Sequence, residues 1–121
     1  SLPVLANGDI TSPELAQKAL DQTKADGILI ARGALGNPWI FQQVADFLSG
    51  QPIKEVSLAE RIRVAKMHAR LHVEHYGPNS MVTFRKHLVN YFKGVPGVKI
   101  FRQQLVQVKT LEELDQILNQ L

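Results

Sequence analysis

The sequence contains no cysteine, which excludes disulfides, thiolate metal ligands and a cysteine nucleophile within its 121 residues. Long apolar runs are missing as well, and none approaches the roughly 18 residues of a membrane span. The opening SLPVLANGD has neither the basic flank nor the apolar core of a signal peptide. No membrane association is expected, and the cytoplasm is the compartment that fits. Aromatic residues make up 7%, with a single tryptophan. No long repeat and no low-complexity segment interrupts a composition, 45% hydrophobic and 21% charged, that belongs to a soluble globular protein.

Acidic residues are scarce where basic ones gather. Residues 1–56 hold four Lys/Arg against six Asp/Glu, a net of −2. Residues 57–109 hold ten Lys/Arg against only Glu60 and Glu74, a net of +8. The tail then adds Glu112, Glu113 and Asp115 with no cation. A basic middle segment is either a polyanion-facing surface or a solvated face, and charge alone leaves both open.

The first half reads as β-α-β-α with short connections, the unit of a parallel α/β fold. Leu2 to Ala6 is a strand ending in the turn Asn7-Gly8-Asp9. Ser12, Pro13 and Glu14 start a helix to about Thr23, with Leu15, Ala19 and Leu20 as its apolar stripe. Asp26 to Ala31 is a second strand, whose run Ile28-Leu29-Ile30 suits burial on both faces. Gly33 and Gly36 allow a close turn, Asn37 is an N-cap and Pro38 a first helical residue of a helix to Ser49, closed by Gly50. A strand, a glycine turn and a helix start together leave backbone N–H groups for an anion. The alternative for these turns is plain loop chemistry. Two parallel strands alone leave both edges open, so the rest of a sheet comes from elsewhere or from a second copy.

Residues 51–56 read as a linker to an all-helical remainder, a four-helix bundle. Ser57 with Glu60, and Thr110 with Glu113, have capping-box spacing. The helices run from Ser57 to Tyr76 (Leu58, Ile62, Ala65, Ala69 and Val73 inside), Ser80 to Lys93 (Met81, Phe84, Leu88, Tyr91, Phe92), Val98 to Val108 (Ile100, Phe101, Leu105, Val108), and Thr110 to the end (Leu111, Leu114, Ile117, Leu118, Leu121). Trp39, Phe41, Phe84 and Phe92 read as core residues before base-stacking ones. His68, His72 and His75 share helical spacing, but no carboxylate pattern completes a metal site, and none is assigned.

Four pieces stand in order: Ala6-Asn7-Gly8-Asp9-Ile10, the run from Ala31-Arg32-Gly33 through Gly36-Asn37-Pro38-Trp39-Ile40-Phe41, Phe84-Arg85-Lys86-His87, and Phe101-Arg102. Together they resemble the C-terminal third of a bacterial tRNA-dihydrouridine synthase, within it the branch called B or nitrogen-regulation-like. The resemblance implies a (β/α)8 TIM barrel holding FMN and a helical domain gripping tRNA. In such enzymes NADPH reduces FMN, which reduces the uridine C5–C6 double bond. Residues 1–50 would then be the seventh and eighth barrel strands with their helices, 51–56 the linker, and 57–121 the tRNA-binding domain. Barrel enzymes commonly hold a phosphate with the loops after those two strands.

The resemblance also assigns roles. Asn7, Gly8, Asp9, Ala31, Arg32 and Gly33 would hold the FMN phosphate, with Ala31 standing where many relatives have glycine. Arg63, Lys66, Arg70, Arg85, Lys86, His87, Lys93, Lys99 and Arg102 would meet tRNA. The family's general acid is a cysteine on an upstream loop, so no catalytic residue is assigned here. The chain would be a fragment, inactive alone, from an enzyme that is itself monomeric. Its open strands predict a strand-paired or swapped dimer. Two other readings stay open: a helical RNA-binding module without catalysis, and a piece of another phosphate-binding flavin barrel enzyme.

Overall fold

In the computed structural model, which describes residues 2–121, the chain opens with a short parallel strand pair. Residue 1, which the predicted 1–50 domain includes, lies outside the described residues. β1 (Leu5–Ala6) and β2 (Gly27–Ile28) pair Leu5 with Gly27 and Ala6 with Ile28. Bonds from Asp26 N to Val4 O and from Leu29 N to Ala6 O, both 2.8 Å, extend the pairing at each end. The strands are shorter than predicted because ladder bonds form only where the two segments face each other; the second segment then leaves the extended region at Ala31, φ −119° and ψ −86°, which opens a 3-10 turn at Arg32–Ala34. Burial on both faces is also corrected. Leu5 and Leu29 are 57% and 51% exposed, while Ile28 and Ile30 pack toward the helices. Parallel strands are buried twice only where helices cover both faces of their sheet.

α1 (Pro13–Thr23) starts as its residues dictate, with Ser12 Oγ accepting from Leu15 N at 3.2 Å. Its inner positions are Pro13 and Ala16, and Leu15 is turned outward. α2 (Ile40–Leu48) begins later than Pro38 because Asn37 does not cap it. The Asn37 carbonyl accepts from Ile40 N at 3.2 Å, and its side-chain Oδ1 is buried with no partner among the described residues. At the other end Gly50, with φ +76°, donates to Phe47 O while Gln51 N donates to Asp46 O, a two-bond left-handed closure. Ile10, Ala16, Ile40 and Val44 form the core of this unit. Phe41, read as a core residue, is 55% exposed.

The chain divides into two compact units, Ser1–Glu55 and Val56–Leu121. In the second, Ser57 Oγ accepts from Glu60 N at 3.1 Å and starts α3 (Leu58–Tyr76). Its inner face is Val64, Ala65 and Ala69, with Leu58 outside it. The small alanines leave space for α4 (Met81–Tyr91), which buries Met81, Phe84, Leu88 and Tyr91, with Phe92 following. α5 (Val98–Leu105) ends before the predicted Val108. The Arg85 guanidinium takes the next carbonyls, Val108 O at 2.8 Å and Gln107 O at 3.1 Å, away from any further helical turn. Leu105 and Val108 are buried, but Ile100 is 76% exposed, off the predicted stripe. α6 (Leu111–Leu118) is capped by Thr110, and the Glu113 carboxylate accepts from Lys109 N at 3.0 Å. α3 packs on α4 and α6, and α5 on the same two, so the four helices close a ring. No helix among the described residues is long and apolar enough to cross a membrane.

Candidate functional site

Both strand-to-helix turns of the first unit border one cleft of about 190 Å³. Asn7, Gly8, Asp9, Ala31 and Arg32 line it, joined by Ile10 and Leu29, which the sequence did not assign to the site. The signals for those two were the place of Ile10 at the end of the first turn motif and of Leu29 in the apolar run before the second turn. Gly8 and Asp9 both have positive φ, +120° and +45°, a pair of values that glycine and aspartate tolerate better than most residues. Gly33 does not line the cleft but fastens it. A Cβ there would lie 2.0 Å from the Ile10 carbonyl oxygen, so the close approach that glycine permits is of one turn's backbone to the other.

The cleft carries donors and a cation. Ala34 N makes the first bond of the 3-10 turn, to Ala31 O at 3.0 Å. The Arg32 and Gly33 amides precede it, and the geometry of such a turn gives them no partner within it. The Arg32 guanidinium pairs with the Asp9 carboxylate across the two turns, and both side chains are largely exposed. Backbone donors beside an arginine suit a phosphate. The volume suits the phosphate end of a cofactor and not a whole ring system, since small-molecule sites run to roughly 300–1,000 Å³. A phosphate binding there competes with Asp9 for Arg32.

The second unit spreads its predicted RNA-facing residues over several environments. Arg63 gives both arms of its guanidinium to Glu60 at 2.8 Å, a pairing that raises its pKa through the hydrogen bond and the charge of Glu60. Lys66 Nζ reaches Asn119 Oδ1 at 3.0 Å and lies 3.8 Å from Asp115. Arg70 is exposed, whereas Arg85 is half-buried on the Gln107 and Val108 carbonyls. Lys93, Lys99 and Arg102 stand together around a groove beside the turn between α4 and α5.

Lys86 and His87 border another recess, with His68 and His72. The histidines here pack and bond. His68 Nδ1 lies 2.9 Å from Tyr91 Oη, and its ring sits edge-on to Phe84 at 4.8 Å. His72 Nε2 lies 2.9 Å from Thr83 Oγ1 and 3.2 Å from Ser80 O. Burial lowers the pKa of His68, helped by nearby His72, and lowers that of His87, helped by His68, Lys86 and His72. Burial raises that of Tyr91. Among the described residues no group of three or more His, Cys, Asp or Glu is placed to hold a metal ion.

Comparison with known proteins gives a consistent result. The family model for dihydrouridine synthase matches residues 1–121. A probable tRNA-dihydrouridine synthase 1 of Synechocystis is 36% identical over 99% of this chain and 34% of its own length. A probable tRNA-dihydrouridine synthase of Mycobacterium leprae is 38% identical over 100% of this chain and 32% of its own. The tRNA-dihydrouridine synthase B of Pasteurella multocida is 41% identical over 85% of the chain and 32% of its own. The chain thus spans about a third of the length of these relatives.

Proposed function

This chain belongs to the dihydrouridine synthase family, and from that premise we propose that it forms the C-terminal third of a flavin-dependent enzyme reducing uridine to dihydrouridine in tRNA. Ser1–Glu55 supplies the last two βα units of a TIM barrel, and Val56–Leu121 a helical unit that holds tRNA. The observation that carries this reading is that two consecutive strand-to-helix turns border one phosphate-sized cleft, in a chain matched by the family over residues 1–121. Loops after the last two strands are where such barrels commonly hold a phosphate.

The cleft's own residues divide the work. The Arg32 amide and guanidinium would hold the phosphate of FMN, the guanidinium through a charge-assisted bond, while Gly33, outside the cleft lining, lets the two turns approach. When bound, FMN supplies the hydride for the uracil C5–C6 double bond, with NADPH as the reductant that recharges it. The proton for the other carbon needs an acid, a cysteine in this family, which residues 1–121 do not contain. The basic helices of the second unit hold folded RNA by phosphate and 2′-hydroxyl contacts.

The test is the whole gene product. It is expected to be yellow with FMN and to form dihydrouridine in unmodified tRNA with NADPH, whereas residues 1–121 by themselves form none. A colourless product that leaves uridine unreduced overturns the reading, as does dihydrouridine made by residues 1–121 alone. A helical RNA-binding module is the second reading, favoured by the separate core of Val56–Leu121.

A further inference from the structure

We infer that the groove between the end of α4 and α5 seats one unpaired nucleotide of the RNA, its base on the apolar wall and its phosphate on the cationic rim. The inference rests on the proposed role of the second unit in holding RNA and names the feature of the RNA that this surface reads.

The groove measures about 570 Å³, within the roughly 300–1,000 Å³ of small-molecule sites. Val95, Val98 and Ile100 contribute to its wall, and Lys93, Lys99 and Arg102 stand at its rim with no carboxylate among the lining residues. Gly94 and Gly97, at φ +81° and +80°, make the intervening turn, and a Cβ at either would meet nothing within 4 Å. The turn therefore leaves the groove unobstructed on that side. Ile100 is 76% exposed. One exposed aliphatic is ordinary, but one set among three cations around a cavity is an amphipathic receptor.

Such a receptor distinguishes RNA forms. A duplex keeps its bases stacked and presents phosphates and 2′-hydroxyls, which need only the cations. An unpaired nucleotide also presents the apolar face of its base, which an aliphatic wall shields from water. A rim of three cations without a carboxylate complements the polyanion, and the wall then selects its single-stranded part. An acidic amphipathic peptide offers similar complementarity, and the experiment separates it.

The experiment is fluorescence anisotropy with residues 1–121, using a labelled single-stranded RNA oligonucleotide and a blunt duplex of equal length across a salt series. Ile100→Ser changes no charge and lies on an exposed position. It is expected to weaken the single strand at least about four-fold, the equivalent of about one buried CH2 group, with the salt slope and duplex affinity unchanged. Arg102→Ala is expected to flatten the single-strand slope by about 0.7. In the unaltered chain, the methyl resonances of Val95, Val98 and Ile100 are expected to shift with the single strand and not with the duplex, a readout independent of any variant's folding.

Equal affinity of Ile100→Ser and the unaltered chain for the single strand overturns the inference while leaving RNA holding intact. So does an equal loss for both RNAs, or methyl resonances that do not move. An acidic Leu/Glu peptide that binds the unaltered chain and not Ile100→Ser, with single-strand affinity unaffected, assigns the groove to a protein partner. If the unaltered chain binds neither RNA, this inference and the RNA-holding role fall together.

Discussion

Gly33 leaves no room for a Cβ. Its replacement by alanine sets a methyl against the Ile10 carbonyl oxygen, 2.0 Å from the ideal Cβ, and the neighbour is backbone, which yields little. Gly33→Ala is expected to cost about 3 kcal/mol, the upper part of the overpacking range, read as a lower urea midpoint for the first unit. Asp9 presents the opposite case. It occupies the cation that a phosphate requires, and asparagine tolerates the same positive φ. Asp9→Asn is expected to tighten inorganic phosphate binding by about 1.4- to five-fold in calorimetric titration, matching the ~0.2–1 kcal/mol of an exposed pair; unchanged affinity would mean that the two do not compete. At this scale the sequence disclosed turn chemistry, since Asn7-Gly8-Asp9 and Arg32-Gly33 are local signals. The Asp9–Arg32 pairing and the contact of Gly33 with Ile10 join residues far apart in the chain, and no local pattern reports them.

Helices α4 and α5 show how one side chain can hold an element's end. Arg85 bonds two carbonyls beyond α5, so Arg85→Ala removes the partner of the part-buried Val108 carbonyl and leaves the exposed Gln107 carbonyl to water. A loss of about 2 kcal/mol from the second unit is expected in chemical denaturation, with partial recovery in Arg85→Lys, which lacks the second arm. RNA affinity falls with it through the fold, so Lys86→Ala is the cleaner probe of a phosphate contact. Between α3 and α4, His68 and His87 have lowered pKa values. Folding therefore disfavours their protonated forms, and the unfolded chain binds more protons as pH falls through the ordinary 6.5. Stability is full above that value and declines below it: the denaturation midpoint at about pH 5 is expected to lie below that at about pH 7.5, with a smaller difference in His87→Gln. Helix starts were legible because Ser12, Ser57 and Thr110 each cap a turn three residues away. The strands were legible in type and not in length, because pairing depends on a neighbour. Asn37 had cap chemistry but buried its oxygen, a choice made by packing.

The molecule as a whole joins an incomplete sheet to a helical ring. Leu2, Val4, Leu5 and Leu29 are all more than half exposed beside the two strands. Purified residues 1–121 are expected to pair through them, so light scattering gives a mass that rises with concentration, and Leu29→Lys lowers it; 13.5 kDa at every concentration would contradict the pairing. A change of periodicity and charge near residue 55 showed in the sequence directly. The groove beside α5 did not, because Ile100 fits a helical stripe and only tertiary packing turns it outward. The single tryptophan, Trp39, stands at the start of α2 in the first unit, and both tyrosines, Tyr76 and Tyr91, stand in the second. Red-edge excitation of the indole reports the melting of the first unit alone, while phenol absorbance reports the second. A single unlabelled sample thus carries two separate optical clocks.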